Sequence, residues 1–154
     1  MDPNAVVDAF RRTITEHYVD FQGRTARREF WYYVLAYIVC YIAIAIIESI
    51  IGTTFIRGLF TLALLLPSLG VSVRRLHDID RSGWWILIGV VPAFIGAFLS
   101  LMAFMSGSVG FGLFVMGVIW LACLAAFVLL IYWYAQPGTP GANQYGEPPA
   151  APAA

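Results

Sequence analysis

Residues 30–51 read FWYYVLAYIVCYIAIAIIESII, an apolar run interrupted by one charge, Glu48, near its far end. About 20 apolar residues in a helix cross the roughly 30 Å of hydrocarbon in a bilayer. Three further runs follow, at about 53–73, 84–105 and 111–134. The composition agrees: of 154 residues, 60% are hydrophobic and 12% charged, against about 45–50% and about 25% in a soluble domain. Too little polar sequence remains to coat four apolar helices, and a soluble enzyme with a large catalytic domain is excluded. The expected fold class is all-α, an integral membrane bundle of four transmembrane helices. Residues 1–134 make this transmembrane domain, with an N-terminal amphipathic interfacial helix at 3–21. A Pro/Gly-rich cytosolic tail follows at 135–154.

The nine basic residues are all Arg, and formal net charge is zero. Global charge therefore does not point to a nucleic-acid partner. Arg11, Arg12, Arg24, Arg27 and Arg28 precede the first run; Arg74, Arg75 and Arg81 lie between the second and third. Four spans place eight of the nine Arg on one side, which the positive-inside rule assigns to the cytosol with both termini. Phe30-Trp31-Tyr32-Tyr33, Trp84-Trp85 and Tyr132-Trp133-Tyr134 fall at the same ends, where aromatic rings anchor at headgroup level. A cleaved leader is not expected, because the first run is too long for one and begins only at Phe30. The expected protein is a multi-pass membrane protein.

Asp2-Pro3 reads as a helix start. Val6, Val7, Phe10, Ile14, Tyr18 and Phe21 then recur at helical spacing, an apolar face to lie in the interface or pack on the cytosolic helix ends. Gly23 is expected to break this helix. Pro67 and Pro92 each remove a helix hydrogen bond; Ser68, Ser72 or water are the expected partners of the freed carbonyls. Gly89, Ala93, Ala97 and Ser100, with Gly110, Gly112 and Gly117, are expected to bring helices together. Five prolines and three glycines after Ala135 mark the tail as flexible, disordered past Pro148. Cys40 and Cys123 lie in apolar runs and suggest neither disulfide nor zinc. No internal repeat stands out, and no cofactor is indicated.

Two polar stretches carry the candidate site. Residues 21–31 read FQGRTARREFW, and residues 74–85 read RRLHDIDRSGWW. Planar guanidinium groups bind phosphate bidentately, so Arg24, Arg27, Arg28, Arg74, Arg75 and Arg81, with His77, are candidate anion or lipid ligands. Asp78, Asp80 and Glu29 are candidate structural charge partners. Six Arg face four acids (these three and Asp20), an excess of two that favours an anion such as an inner-leaflet headgroup. A metal at His77, Asp78 and Asp80 lacks further ligands, since His17 is the only other histidine. Glu48 and Arg57, the only charges on the outer side, are candidates for an intramembrane pair.

These stretches, together with Asn143-Gln144-Tyr145-Gly146, resemble the DUF805 family of small bacterial inner-membrane proteins. The resemblance runs from about Tyr18 to Pro148 and its middle motif is long. It implies a multi-pass protein of the bacterial inner (plasma) membrane with no established activity. It also implies that Asn143, Tyr145 and Gly146 dock near the cytosolic cluster. The leading expectation for function is non-enzymatic: the Arg/His/Asp cluster binds an anionic lipid headgroup or an acidic partner protein. A small transporter or channel, with a pore supplied by homo-oligomerisation, is the alternative. A lipid-phosphate enzyme with His77 and Asp78 as acid–base groups is the third.

Overall fold

The computed structural model describes residues 3–149. Six α-helices form: α1 (Pro3–Thr15), α2 (Arg27–Ile51), α3 (Phe55–Ala63), α4 (Leu65–Asp78), α5 (Leu87–Met105) and α6 (Val109–Ala135), with a 3₁₀ turn at Gly83–Ile86 before α5. Among the described residues the only β pairing is an isolated bridge between Asn143 and Gly146. The chain divides into two compact units. The first holds everything up to Gly83 together with the segment from Pro137; the second is Trp84–Gln136.

In the first unit, α2 buries Phe30, Tyr32 and Tyr33 at its start and Glu48 near its end. Most of its middle is exposed: Ile42 is 53% and Ile46 56% accessible. Apolar surface on that scale is stable in hydrocarbon rather than in water. Helix α1 packs on α2 through Ala9, Thr13 and Phe10, the last stacked on Tyr33 with centroids 5.6 Å apart. Val7, Tyr18 and Phe21 of the expected apolar face are exposed. The helix also stops at Thr15, not at Gly23, whose φ of 77° bends the chain further on. Beyond Thr15 the chain is drawn onto α4: a Cβ on Gly70 would lie 2.9 Å from the Asp20 carbonyl oxygen. The expected Asp2 cap lies outside the described residues.

The run at 53–73 is not one straight helix. It breaks at Leu64 into α3 and α4, bent by 43°. Pro67 explains the position, because a proline cannot bond to the carbonyl four residues back and its ring collides with it. That carbonyl belongs to Ala63. The Tyr18 hydroxyl, rather than Ser68 or Ser72, donates to it at 2.5 Å. Ser68 instead pairs with the Tyr33 hydroxyl at 2.8 Å. Helix α4 continues past Val73, so Arg74 to Asp78 are helical.

The second unit is an antiparallel hairpin of α5 and α6, turning at 106–108, where Gly107 has a φ of 73°. Helix α5 passes through Pro92 without a break. The seam differs from the expected stripe: Gly96 and Ala103 of α5 and Gly112, Ala126 and Trp133 of α6 are buried, while Ala93 and Ala97 are exposed. Gly96 faces Ile119, and a Cβ on Gly112 would lie 3.3 Å from that of Ala103. Within each helix the buried positions lie seven or fourteen residues apart, about two or four turns, which keeps them on one helix face. The hairpin's exposed surface is apolar, with Phe94 at 74% and Trp120 at 72%. Three helical segments, Arg27–Ile51, Gly83–Met105 and Val109–Ala135, are long and apolar enough to cross a membrane; the bent α3–α4 pair makes a fourth if counted as one span.

Candidate functional site

Asp78 ends α4, where the last carbonyls of a helix lack intrahelical partners. Its two carboxylate oxygens are taken by different guanidinium groups. Arg75, one turn earlier, donates Nη1 to Oδ2. Arg24 donates Nε at 3.0 Å and Nη2 at 2.9 Å to Oδ1. The side chains of Arg24, Arg75 and Asp78 are 1%, 0% and 4% exposed. The triad thus buries one more positive charge than negative.

Carbonyl groups of the C-terminal segment surround that surplus. Arg24 Nη1 donates to Gly141 O at 2.7 Å and Gly146 O at 3.3 Å, and Nη2 to Thr139 O at 2.8 Å. The segment also caps α4. The Thr139 amide donates to Asp78 O at 2.8 Å, and Asn143 Nδ2 to His77 O at 2.8 Å. Tyr145 lies flat on the His77 ring, centroids 3.8 Å apart and planes 3° from parallel. Gly138 approaches so closely that a Cβ would collide with the Asp78 carboxylate. Residues 138–146 are therefore docked, not the free tail that their Pro/Gly content suggested. Residues 150–154 lie outside the described residues.

The other candidates divide by environment. His77 is nearly buried, with Nδ1 3.2 Å from Gly23 O. Since Asp78 is held by two guanidiniums, an acid–base couple with His77 would first require its release. Asp80 is exposed at φ 58°, and its expected Arg partner is replaced by the Gln144 amide at 3.2 Å. Arg74 is 6% exposed, 3.8 Å from Asp20 Oδ2, and its Nε has no hydrogen-bond partner. The Gln22 amide, with His17 and Arg74 adding to it, holds the Asp20 carboxyl below the usual carboxylate range despite some desolvation. Arg27 and Arg28 are exposed in the first turn of α2; Arg28 donates Nε to the Tyr32 hydroxyl at 2.7 Å and lies over its ring. Glu29, in the same turn, and Arg81 are half-buried. No group of three His, Cys, Asp or Glu among the described residues could hold a metal ion.

At the far end of α2, Glu48 is 1% exposed and ion-paired with Arg57 through Nε. It also accepts the Arg57 amide at 2.9 Å. Thr54, at the N-cap of α3, makes no side-chain cap, so a carboxylate from the preceding helix serves instead. Tyr18, Thr139, Gly138 and Gly141 escaped the sequence reading. The first pairs across a break whose position needs the structure, and the other three were hidden by the tail's composition.

Comparison with known proteins returns the family described as "Protein of unknown function (DUF805)", matched over residues 18–147. The chain is similar to the inner membrane protein YhaI of Escherichia coli strain K12, 34% identical over 139 residues, covering 89% of this chain and 92% of that protein. The inner membrane protein YhaH of the same strain is 29% identical over 142 residues, with 88% and 92% covered. YiiR, an uncharacterized protein of that strain, is 31% identical over 142 residues, with 88% and 89% covered. No solved structure matches. With its helices of membrane-spanning length, its two Arg-rich motifs and its docked Asn-x-Tyr-Gly element, the chain belongs to the DUF805 family.

Proposed function

We propose that this is a non-enzymatic, four-span inner-membrane protein with both termini in the cytosol. In this reading the Arg24–Asp78–Arg75 cluster locks the cytosolic ends of the first unit, and Arg27 and Arg28 engage anionic lipid headgroups. The observation that carries it is the Arg24–Asp78 ion pair. Arg24 precedes α2 and Asp78 ends α4. Two charged side chains in contact lie on one side of a bilayer, so the chain between them crosses it an even number of times. Helix α2 is one crossing, and the bent α3–α4 pair is the return. The contact of Thr139 with Asp78 extends the reasoning: from Gly83 to Pro137 the chain again crosses an even number of times, by α5 and α6. Eight of the nine Arg then share the cytosolic side.

Arg27 and Arg28 stand at the N-terminus of α2, where the helix dipole disfavours cations by about 0.3–1 kcal/mol. Tyr32 holds Arg28 one turn on; in this reading phosphates at headgroup depth supply the anion that both exposed guanidiniums face. Helix α1, with Arg11 and Arg12 exposed, lies along the same interface in this reading.

The test is lipid retention in nanodiscs containing phosphatidylglycerol and phosphatidylcholine. Arg27→Gln with Arg28→Gln lowers enrichment of the anionic lipid, by a margin that shrinks as salt is raised. Enrichment equal to wild type would reject the headgroup role.

A further inference from the structure

Two adjoining cavities open on the α2–α3 face of the first unit. One, of about 490 Å³, is lined by Tyr41, Thr54, Arg57, Gly58 and Thr61 and floored by leucine. The other, of about 320 Å³, is lined by Tyr37, Ile38, Tyr41 and Thr61. They share Tyr41 and Thr61, so together they make one groove. Its upper end carries a guanidinium and hydroxyl groups. Its lower end is aromatic and aliphatic.

The Glu48–Arg57 pair is lopsided. Glu48 is 1% exposed and has its donors; the Arg57 side chain is 36% exposed, Glu48 pairs with its Nε, and Tyr41 shares a hydrogen bond with its guanidinium. A guanidinium carries five N–H donors, so beyond those that Glu48 and Tyr41 engage the exposed head keeps donors for a further acceptor. Depth adds a second constraint. Arg57 lies just beyond the turn at Gly52, at the end of α2, whereas Tyr37 lies about 20 Å back along that helix from Ile51. The groove therefore runs from headgroup level into hydrocarbon.

We infer that this groove is a specific site for an anionic phospholipid, its phosphodiester against Arg57 with Thr54 and Thr61, its acyl chain along Tyr37, Ile38 and Tyr41. Two features select the head: open guanidinium donors match a phosphodiester bidentately, and the quaternary ammonium that phosphatidylcholine adds to the same phosphodiester is repelled by Arg57. The apolar arm selects a lipid over a free anion, which has nothing to place there. The site lies at the end of α2 remote from Arg27 and Arg28 and does not depend on their role.

Native mass spectrometry of the full chain in mild detergent, with phosphatidylglycerol or phosphatidylcholine added, tests this. Two variants spare the fold. Arg57→Lys keeps a cation for Glu48 but withdraws the fork. Gly58→Leu fills the cavity, since a Cβ there meets nothing within 4 Å. Wild type holds phosphatidylglycerol in preference to phosphatidylcholine. Each variant lowers the phosphatidylglycerol-bound fraction about tenfold, the scale of one charged hydrogen bond, with an unchanged unfolding temperature. Arg27→Gln with Arg28→Gln leaves this tightly held lipid in place. The inference is overturned if both variants retain phosphatidylglycerol like wild type, or if phosphatidylcholine is held equally. It is also overturned if inorganic phosphate raises the unfolding temperature of wild type while phosphatidylglycerol does not, which would mark a free-anion site.

Discussion

Asp78 holds two buried guanidiniums at once, and charge balance decides which neighbour matters most. The triad carries a net charge of plus one. Asp78→Asn makes it plus two with no carboxylate left; Arg24→Gln makes it zero and leaves the Arg75–Asp78 pair intact. Removing one partner from a buried pair costs about 3–5 kcal/mol because the other charge stays desolvated. Asp78→Asn is therefore expected to lower stability by about 3 kcal/mol or more, and Arg24→Gln by less, measured as unfolding free energy in detergent. Equal losses would show that hydrogen-bond number, not charge, governs the cluster. A different cycle applies to Glu48 and Arg57. Each single neutral substitution should destabilise more than the double one, since each leaves a charge unpaired; additive losses would show that the two act independently. The residue types of both groups were legible in the sequence, since Arg and Asp crowd two short stretches and Glu48 and Arg57 stand alone in apolar runs. The five-way use of Arg24 was not. Most of its acceptors are backbone carbonyls of residues 139–146, and carbonyls leave no mark in a sequence.

Elements were legible wherever periodicity and length decide them, as in α2, α5 and α6, and illegible where one contact reset a boundary. Pro67 announces a break, yet the chain bends at Leu64 because a proline acts on the carbonyl four residues back. That Tyr18 supplies the missing donor could not be read, as the two residues lie 45 apart. The pairing yields a testable coupling. Tyr18→Phe should cost about 1 kcal/mol in the wild-type background, the usual worth of one hydrogen bond. It should cost close to nothing with Pro67→Ala, where the amide of residue 67 can bond to Ala63 O itself. An equal cost in both backgrounds would disconnect Tyr18 from the break. The docked C-terminal segment is a second such element. Its composition resists a packed core, and the structure gives it none: hydrogen bonds to Arg24 and α4 and one stacked ring hold it. Gly138→Val places atoms where the Asp78 carboxylate lies, so protease should cut residues 139–147 much faster than in wild type. Unchanged cleavage would mean that the segment tolerates the intrusion and that Gly138 is not required for docking.

For the whole molecule the open question is whether α3 and α4 cross the bilayer or enter and leave on one side. Length and hydropathy permit either, because each helix is short and the pair is bent by 43°. The proposed topology takes the crossing, and the ion pair is what supports that choice. If α2 crosses and α3–α4 returns to the side it came from, Asp78 ends across the membrane from Arg24, and side chains 2.9 Å apart would be separated by the full hydrocarbon thickness. A re-entrant pair is therefore incompatible with the cluster in a single chain. The C-terminal segment imposes the same condition again, since Thr139 and Tyr145 touch Asp78 and His77. Reporter fusions test both conditions together. Fusions after Gly52 and after Gly107 should report the periplasm, and fusions after Ile79 and after Tyr145 the cytosol. A periplasmic signal at Ile79 would make α3–α4 re-entrant and exclude the Arg24–Asp78 contact in the membrane-embedded protein. A cytosolic signal at Gly107 would leave the α5–α6 hairpin on the cytosolic side, although its exposed surface, with Phe94, Phe104 and Trp120 more than 70% accessible, fits only hydrocarbon.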